Sequence, residues 1–158
     1  SYLRQSRTRL LINMVRMRWD IDRLNSRLLD DYADQTPGQL IKLMRDGIEP
    51  SGAGALYGGR VALIECLIHQ QDIRRPLGEL RTIPEESLRV SLNYARMSPV
   101  IGGARRTRGV RLVATDIQWS SGQGPEVRGP AESLLMAMTG RAAKIPGELS
   151  GEGVALLR

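Results

Sequence analysis

The sequence has no phenylalanine, a single cysteine and only two lysines, at positions 42 and 144. One cysteine, Cys66, cannot close a disulfide within the chain, which excludes a disulfide-stapled secreted scaffold and points to a reducing, cytoplasmic setting. No stretch approaches the roughly 18–20 apolar residues that a membrane helix requires, because charges interrupt each one. Ser1 to Gln5 shows no apolar core followed by a small-residue cleavage site, so no secretion signal is expected there. Aromatic residues reach only 4%, and no segment repeats or is of low complexity.

What is present suits a folded chain. The 158 residues are 41% hydrophobic and 25% charged, enough for one compact domain or a main domain with a small appendage. The net charge is +6 and is carried almost wholly by arginine. Together with abundant Gly and Ala, that bias is what a GC-rich coding sequence produces. It supplies arginine without any selection for phosphate contacts, although a basic surface still attracts anions.

Leu10, Leu11, Met14, Val15, Trp19, Ile21, Leu24, Leu28, Leu29 and Tyr32 recur every three to four residues, which predicts helix from Thr8 to Ala33. Asp20 or Asp22 is placed to cap a second helix after a break near Trp19. Thr36-Pro37 is a start signal, a capping hydroxyl before a proline whose missing N–H costs nothing in the first turn. That helix should stop before Gly47. Gly47 to Gly59 is glycine-rich but lacks the Gly-Lys-Ser/Thr ending of a phosphate loop, and reads as a mobile connector. The strongest helix is expected from Arg60 to Arg75, stopped by Pro76-Leu77-Gly78, and another from Pro84 to Arg96.

After Met97-Ser98-Pro99 the texture changes. Val110 to Thr115 alternates like a half-buried strand, with Asp116 to Trp119 extending it. Ser120 to Gly124 reads as a turn and Pro125 to Arg128 as the return strand. A short apolar helix opens at Pro130 and stops at Gly140, and Val154 to Leu157 reads as a final strand. The expected fold is mainly α with an α+β tail: a helical domain over residues 1–98 and a small α+β domain over 108–158.

In Ile64-Glu65-Cys66-Leu67-Ile68-His69-Gln70-Gln71-Asp72, three ligand-type side chains are spaced by four and then three residues. That spacing places Glu65, His69 and Asp72 on one stripe of a helix. A carboxylate and an imidazole one turn apart can share a divalent cation, as in helix-bundle metal sites. The plainer reading is an i,i+4 Glu65–His69 pair on the surface, with Asp72 paired to Arg75 or to an arginine of another helix. His69 is the chain's sole histidine, so a third ligand must be Asp72 or come from another helix.

The run from Glu65 through His69-Gln70-Gln71-Asp72-Ile73-Arg74-Arg75-Pro76-Leu77-Gly78 resembles the signature region of the actinobacterial maleylpyruvate isomerase-like family, DinB-like enzymes that depend on mycothiol. Asp22-Arg23-Leu24-Asn25, Thr36 to Leu40, Leu112 to Asp116, Gly122 to Glu132 and Gly140 to Leu157 are similar to that family as well. The resemblance implies a DinB-like four-helix bundle in which Glu65 and His69 bind a divalent metal, zinc or similar. The family's third ligand is a histidine of an earlier helix, with no counterpart among these 158 residues. Either that leading segment belongs to a longer parent protein, so that the bundle is N-terminally incomplete here, or this member has lost the ligand.

The resemblance further implies a metal-favoured thiolate of mycothiol attacking an electrophilic carbon. Addition, rotation and elimination would give isomerisation; retention would give S-transfer. Asp72 would stand behind the ligands, orienting a neighbour or anchoring Arg74 or Arg75. An arginine near the site would hold a substrate carboxylate. The implied partners are a small thiol and a small electrophile, with self-association also open and no membrane.

Other residues read more plainly. Cys66 points about 100° away from Glu65 around the helix and is expected to be a small buried hydrophobe. Trp19 and Trp119 are expected in the core, and Asn25 near the site or at the surface. Two rival functions remain. One is a non-catalytic relative that keeps the bundle as a binding or interaction protein. The weaker is a nucleic-acid-binding module, using Arg105, Arg106 and Arg108 with Arg4, Arg7, Arg9, Arg16 and Arg18.

Overall fold

Asp20 caps the second helix of the chain, its Oδ1 accepting the Arg23 backbone N–H at 2.9 Å. The structure, a computed structural model, describes residues 6–16, 20–30, 32–49, 51–52, 54–79 and 81–157. The break expected near Trp19 falls between α1 (Arg7–Arg16) and α2 (Ile21–Asp30). Trp19 itself, and the side chains of Leu10, Met14, Asp22, Leu24, Asn25 and Leu28, lie outside what is described.

Helix α3 (Pro37–Arg45) begins as the Thr36-Pro37 signal requires, with a complete capping box. Thr36 Oγ1 accepts from Gln39 N, and Gln39 Oε1 accepts from Thr36 N at 2.8 Å, so two N-terminal donors are satisfied reciprocally. The helix ends before Gly47, as expected.

The chain divides into two compact units, Ser1–Ala62 and Leu63–Arg158. In the first, every apolar side chain that is described remains at least partly accessible, Leu11, Val15, Leu29, Ile41 and Met44 prominently so. The second holds the buried core. The expected boundary between 98 and 108 lies inside this second unit, because α5 (Glu85–Met97) turns its stripe of Leu88, Ser91, Leu92 and Ala95 onto later elements. Its main partner is α7 (Ala131–Met138), in which every residue but Glu132 is buried. Between them α6 (Gly103–Arg106) approaches so closely that a Cβ on Gly103 would stand 2.5 Å from the Ala95 carbonyl oxygen.

A three-stranded sheet of order β2-β1-β3 follows, making this unit α+β and the described chain mainly α. Strand β1 (Arg111–Ala114) pairs antiparallel with β2 (Ser120–Gly122), Leu112 opposite Ser121. It pairs parallel with β3 (Glu126–Gly129), Leu112 opposite Val127. Leu112 and Val127 point into the core and Arg111 and Arg128 outward, the alternation of a half-buried sheet.

Two expectations for this region are corrected. Ser120 to Gly122 is a strand, since the reversal occurs earlier, over residues 115–119, closed by Ala114 N to Trp119 O at 2.9 Å. The segment from Pro125 then crosses to the far side of β1 and runs parallel to it. That crossing forces backbone against backbone: Cβ atoms on Gly122 and Gly124 would lie 2.3 and 2.2 Å from the Val110 and Gly109 carbonyl oxygens. The final strand is also absent. Glu152–Leu156 is a 3-10 turn, and the tail meets the sheet at the Arg128–Ser150 bridge and by close packing of Gly151 and Gly153 against the backbone at the start of β3.

No helix among the described residues is long and apolar enough to cross a membrane.

Candidate functional site

Helix α4 (Arg60–Arg74) buries Ile64, Leu67, Ile68 and Gln71, one stripe at i, i+3, i+4 and i+7. At about 100° per residue, Glu65, His69 and Asp72 fall together on the flank of that stripe, and Cys66 falls opposite it. Cys66 is accordingly exposed, which corrects the expectation of a buried thiol. The local sequence thus sets three polar side chains at the margin of the core, where the carboxylates are about one-fifth exposed and the imidazole 60% exposed.

Their geometry is a sandwich. His69 Nε2 stands 3.1 Å from Glu65 Oε2, and Nδ1 stands 3.3 Å from Asp72 Oδ2. The imidazole therefore lies between two carboxylates, one at each ring nitrogen. Carboxylates only accept, so a neutral ring donates to one of them and offers a lone pair towards the other.

Asp72 has further partners. Arg141 Nε donates to Oδ1 at 3.0 Å and Nη2 to Oδ2 at 2.9 Å, a fork onto one carboxylate, while Lys144 Nζ donates to Oδ1 at 2.7 Å. The Arg141 hydrogen bonds, aided by Lys144 and opposed by partial burial, hold the Asp72 carboxyl far below the usual carboxylate range. Arg141 is delivered by the end of α7. Its N–H bonds Met136 O at 2.8 Å and Gly140 N–H bonds Ala137 O at 3.0 Å, with Gly140 at φ +81°, a Schellman close. The 3-10 turn Ala142–Lys144 then brings Lys144 to the same carboxylate.

Asp72 anchors neither Arg74 nor Arg75. Arg74 lies 3.6 Å from Glu79. Arg75, in the 3-10 turn that follows α4, donates to Glu132 Oε1 at 3.1 Å and to Glu148, whose other oxygen accepts from Ser133 Oγ at 2.5 Å. Burial works against charge at this second cluster. The facing opposite charges nevertheless raise the pKa of Arg75, and the Ser133 and Arg75 hydrogen bonds lower that of Glu148. Sequence reasoning missed Arg141 and Lys144 as neighbours of the stripe. Their partner is about 70 residues away, and the only local clue was the helix stop at Gly140.

Trp119 is half-buried, with its indole N–H donated to Asn93 Oδ1 at 2.9 Å, so it serves as a polar-tipped clasp between the hairpin and α5. The Arg105-Arg106-Thr107-Arg108 cluster is not one uniform cationic face. Arg106 turns inward to the carbonyl oxygens of Ile101 and Met138, while Arg105 and Arg108 are exposed.

The 3.1 Å Glu65–His69 contact is in the first place the hydrogen-bonded i,i+4 pair of the plainer reading, and its separation is also compatible with a metal half-site. Two donors each about 2.0–2.1 Å from one cation, at angles near 90–110°, stand about 2.9–3.4 Å apart, which brackets the 3.1 Å separation. Asp72 behind Nδ1 supplies the carboxylate that metal-binding histidines ordinarily engage. It lies at the opposite edge of the ring and so cannot join the same cation as Nε2. Among the described residues no group of three or more His, Cys, Asp or Glu side chains is placed to hold a metal. Comparison of the chain with protein-family models, with curated proteins and with solved structures finds no match.

Proposed function

We propose that the chain belongs to a divalent-metal-binding, mycothiol-dependent isomerase or S-transferase of the maleylpyruvate isomerase-like type, built on a DinB-like bundle. Glu65 and His69 are two of its metal ligands. The observation that carries this reading is the 3.1 Å approach of Glu65 Oε2 to His69 Nε2, with the other ring nitrogen turned to Asp72. The resemblance of residues 65–78 to that family's signature supplies the thiol and the substrate class, a small electrophile.

A bound divalent cation would supply the Lewis acidity that favours a thiolate at neutral pH. The chain's own residues do the rest. Asp72 accepts a hydrogen bond from the Nδ1–H of His69 and so leaves the Nε2 lone pair free to ligate. Glu65 contributes an anionic oxygen from one turn away, and its partial burial limits competition from water. Exposure of the imidazole leaves the ligand face open to a thiol and its substrate.

A second reading, a non-catalytic relative, draws on the want of a third donor among the described residues. Elemental analysis of the whole protein separates the two. About one equivalent of zinc or another divalent metal, lost in Glu65→Ala and His69→Ala, supports the enzyme. A folded protein that takes up none supports the relative.

A further inference from the structure

We propose that Arg141 is a positioning residue for His69: its guanidinium fork fixes the Asp72 carboxylate, and Asp72 in turn selects the Nδ1–H tautomer of the imidazole. The inference rests on the reading of His69 as a ligand through Nε2.

The ring needs such help. His69 is 60% exposed and has a carboxylate at each nitrogen. In water a neutral histidine side chain favours the Nε2–H form, which would donate to Glu65 and block the ligating lone pair. Only an acceptor held at Nδ1 reverses that preference. An aspartate with free χ angles would follow the ring; one clasped on both oxygens cannot. Arg141 touches both Oδ1 and Oδ2, and its Nη1 donates to Thr139 O at 3.1 Å, so the fork is itself tied to the turn that carries it. Lys144 touches Oδ1 alone, from a largely exposed side chain, and adds charge rather than orientation. The hydrogen-bonded end of α7 thereby sets a proton on a side chain of α4.

The test separates this claim from metal binding. In Glu65→Ala the competing acceptor is gone, and the 15N shifts of the His69 ring in the metal-free protein at alkaline pH report the tautomer directly. We expect the Nδ1–H form to predominate. Adding Arg141→Met should lower the Nδ1–H to Nε2–H ratio several-fold, Arg141→Lys should fall between, and Lys144→Met should stay near the parent. In the otherwise wild-type protein, zinc affinity should fall about tenfold in Arg141→Met and less in Arg141→Lys. A ratio unmoved or raised by Arg141→Met in a folded protein overturns the proposal, even if zinc binds. Failure of the wild type to bind zinc overturns the metal reading and leaves the tautomer measurement to decide Arg141. Equal losses in Arg141→Met and Lys144→Met would reduce the role to bulk charge and also overturn it.

Discussion

Arg75 joins Glu132 to Glu148, donating Nη2 to the first at 3.1 Å and Nη1 to the second, so that one guanidinium ties the end of α4 to the start of α7 and to the tail. All three side chains are between one-fifth and one-third exposed. Removing the cation therefore leaves two carboxylates partly desolvated and facing each other. Arg75→Met should cost about 2 kcal/mol at neutral pH by denaturant unfolding. The loss should shrink on acidification. Without Arg75 the two glutamates repel, and protonation on acidification relieves that repulsion. A deficit in Arg75→Met that is the same at pH 7 and pH 5 would contradict this account.

Asp72 titrates in the opposite sense. Its folded-state pKa is depressed by Arg141 and Lys144, well below the unfolded value of about 3.9. A depressed carboxylate contributes stability above its unfolded pKa and loses it as pH falls towards the folded one. Asp72→Asn should therefore destabilise by about 1–3 kcal/mol at pH 7. The gap to wild type should stay constant down to about pH 5 and close progressively below about pH 4. Unfolding curves taken across that range check it, and a gap that widens with acid would be inconsistent with the clasp.

Helix limits in this chain were legible because their signals are local. Thr36-Pro37, Asp20, Pro84 followed by acids, and Gly78 each act within a turn of where they stand. The Glu65–His69–Asp72 stripe was legible for the same reason, since 3.6 residues per turn converts spacing directly into a shared face. Sheet pairing was not. Whether Ser120 to Gly122 is turn or strand depends on partners across β1, and the parallel course of β3 depends on a crossing that no alternation pattern encodes. The same limit hid Arg141 and Lys144, whose approach to Asp72 follows from how α7 packs. Cys66 was misjudged for a simpler reason: the buried stripe 64, 67, 68, 71 turns position 66 outward, and residue type prevailed over phase.

That correction is itself testable. An exposed thiol on the far side of α4 should react with an aromatic disulfide reagent in the native protein, within about tenfold of the rate in the urea-unfolded chain. Cys66→Ser should change stability by less than about 0.5 kcal/mol, as expected for a surface substitution. A thiol that is protected until global unfolding would show that α4 turns Cys66 inward instead.

The sheet crossing gives a graded prediction. Gly109, Gly122 and Gly124 all have positive φ, at +84°, +89° and +120°. Alanine at any of them pays for a left-handed or more strained backbone, about 1 kcal/mol or somewhat more. At Gly109 nothing lies within 4 Å of the added methyl, so the cost should stop there. At Gly122 and Gly124 the methyl would strike the carbonyl oxygens of Val110 and Gly109, backbone atoms that cannot swing aside without breaking the β1 start. Those two substitutions should cost at least about 2 kcal/mol more than Gly109→Ala by denaturant unfolding, in the range of overpacking plus backbone strain. They should also lower amide protection at Arg111, whose N–H bonds Pro125 O at 3.0 Å across the crossing. Equal effects at all three positions would mean that β3 reaches its parallel register by another route.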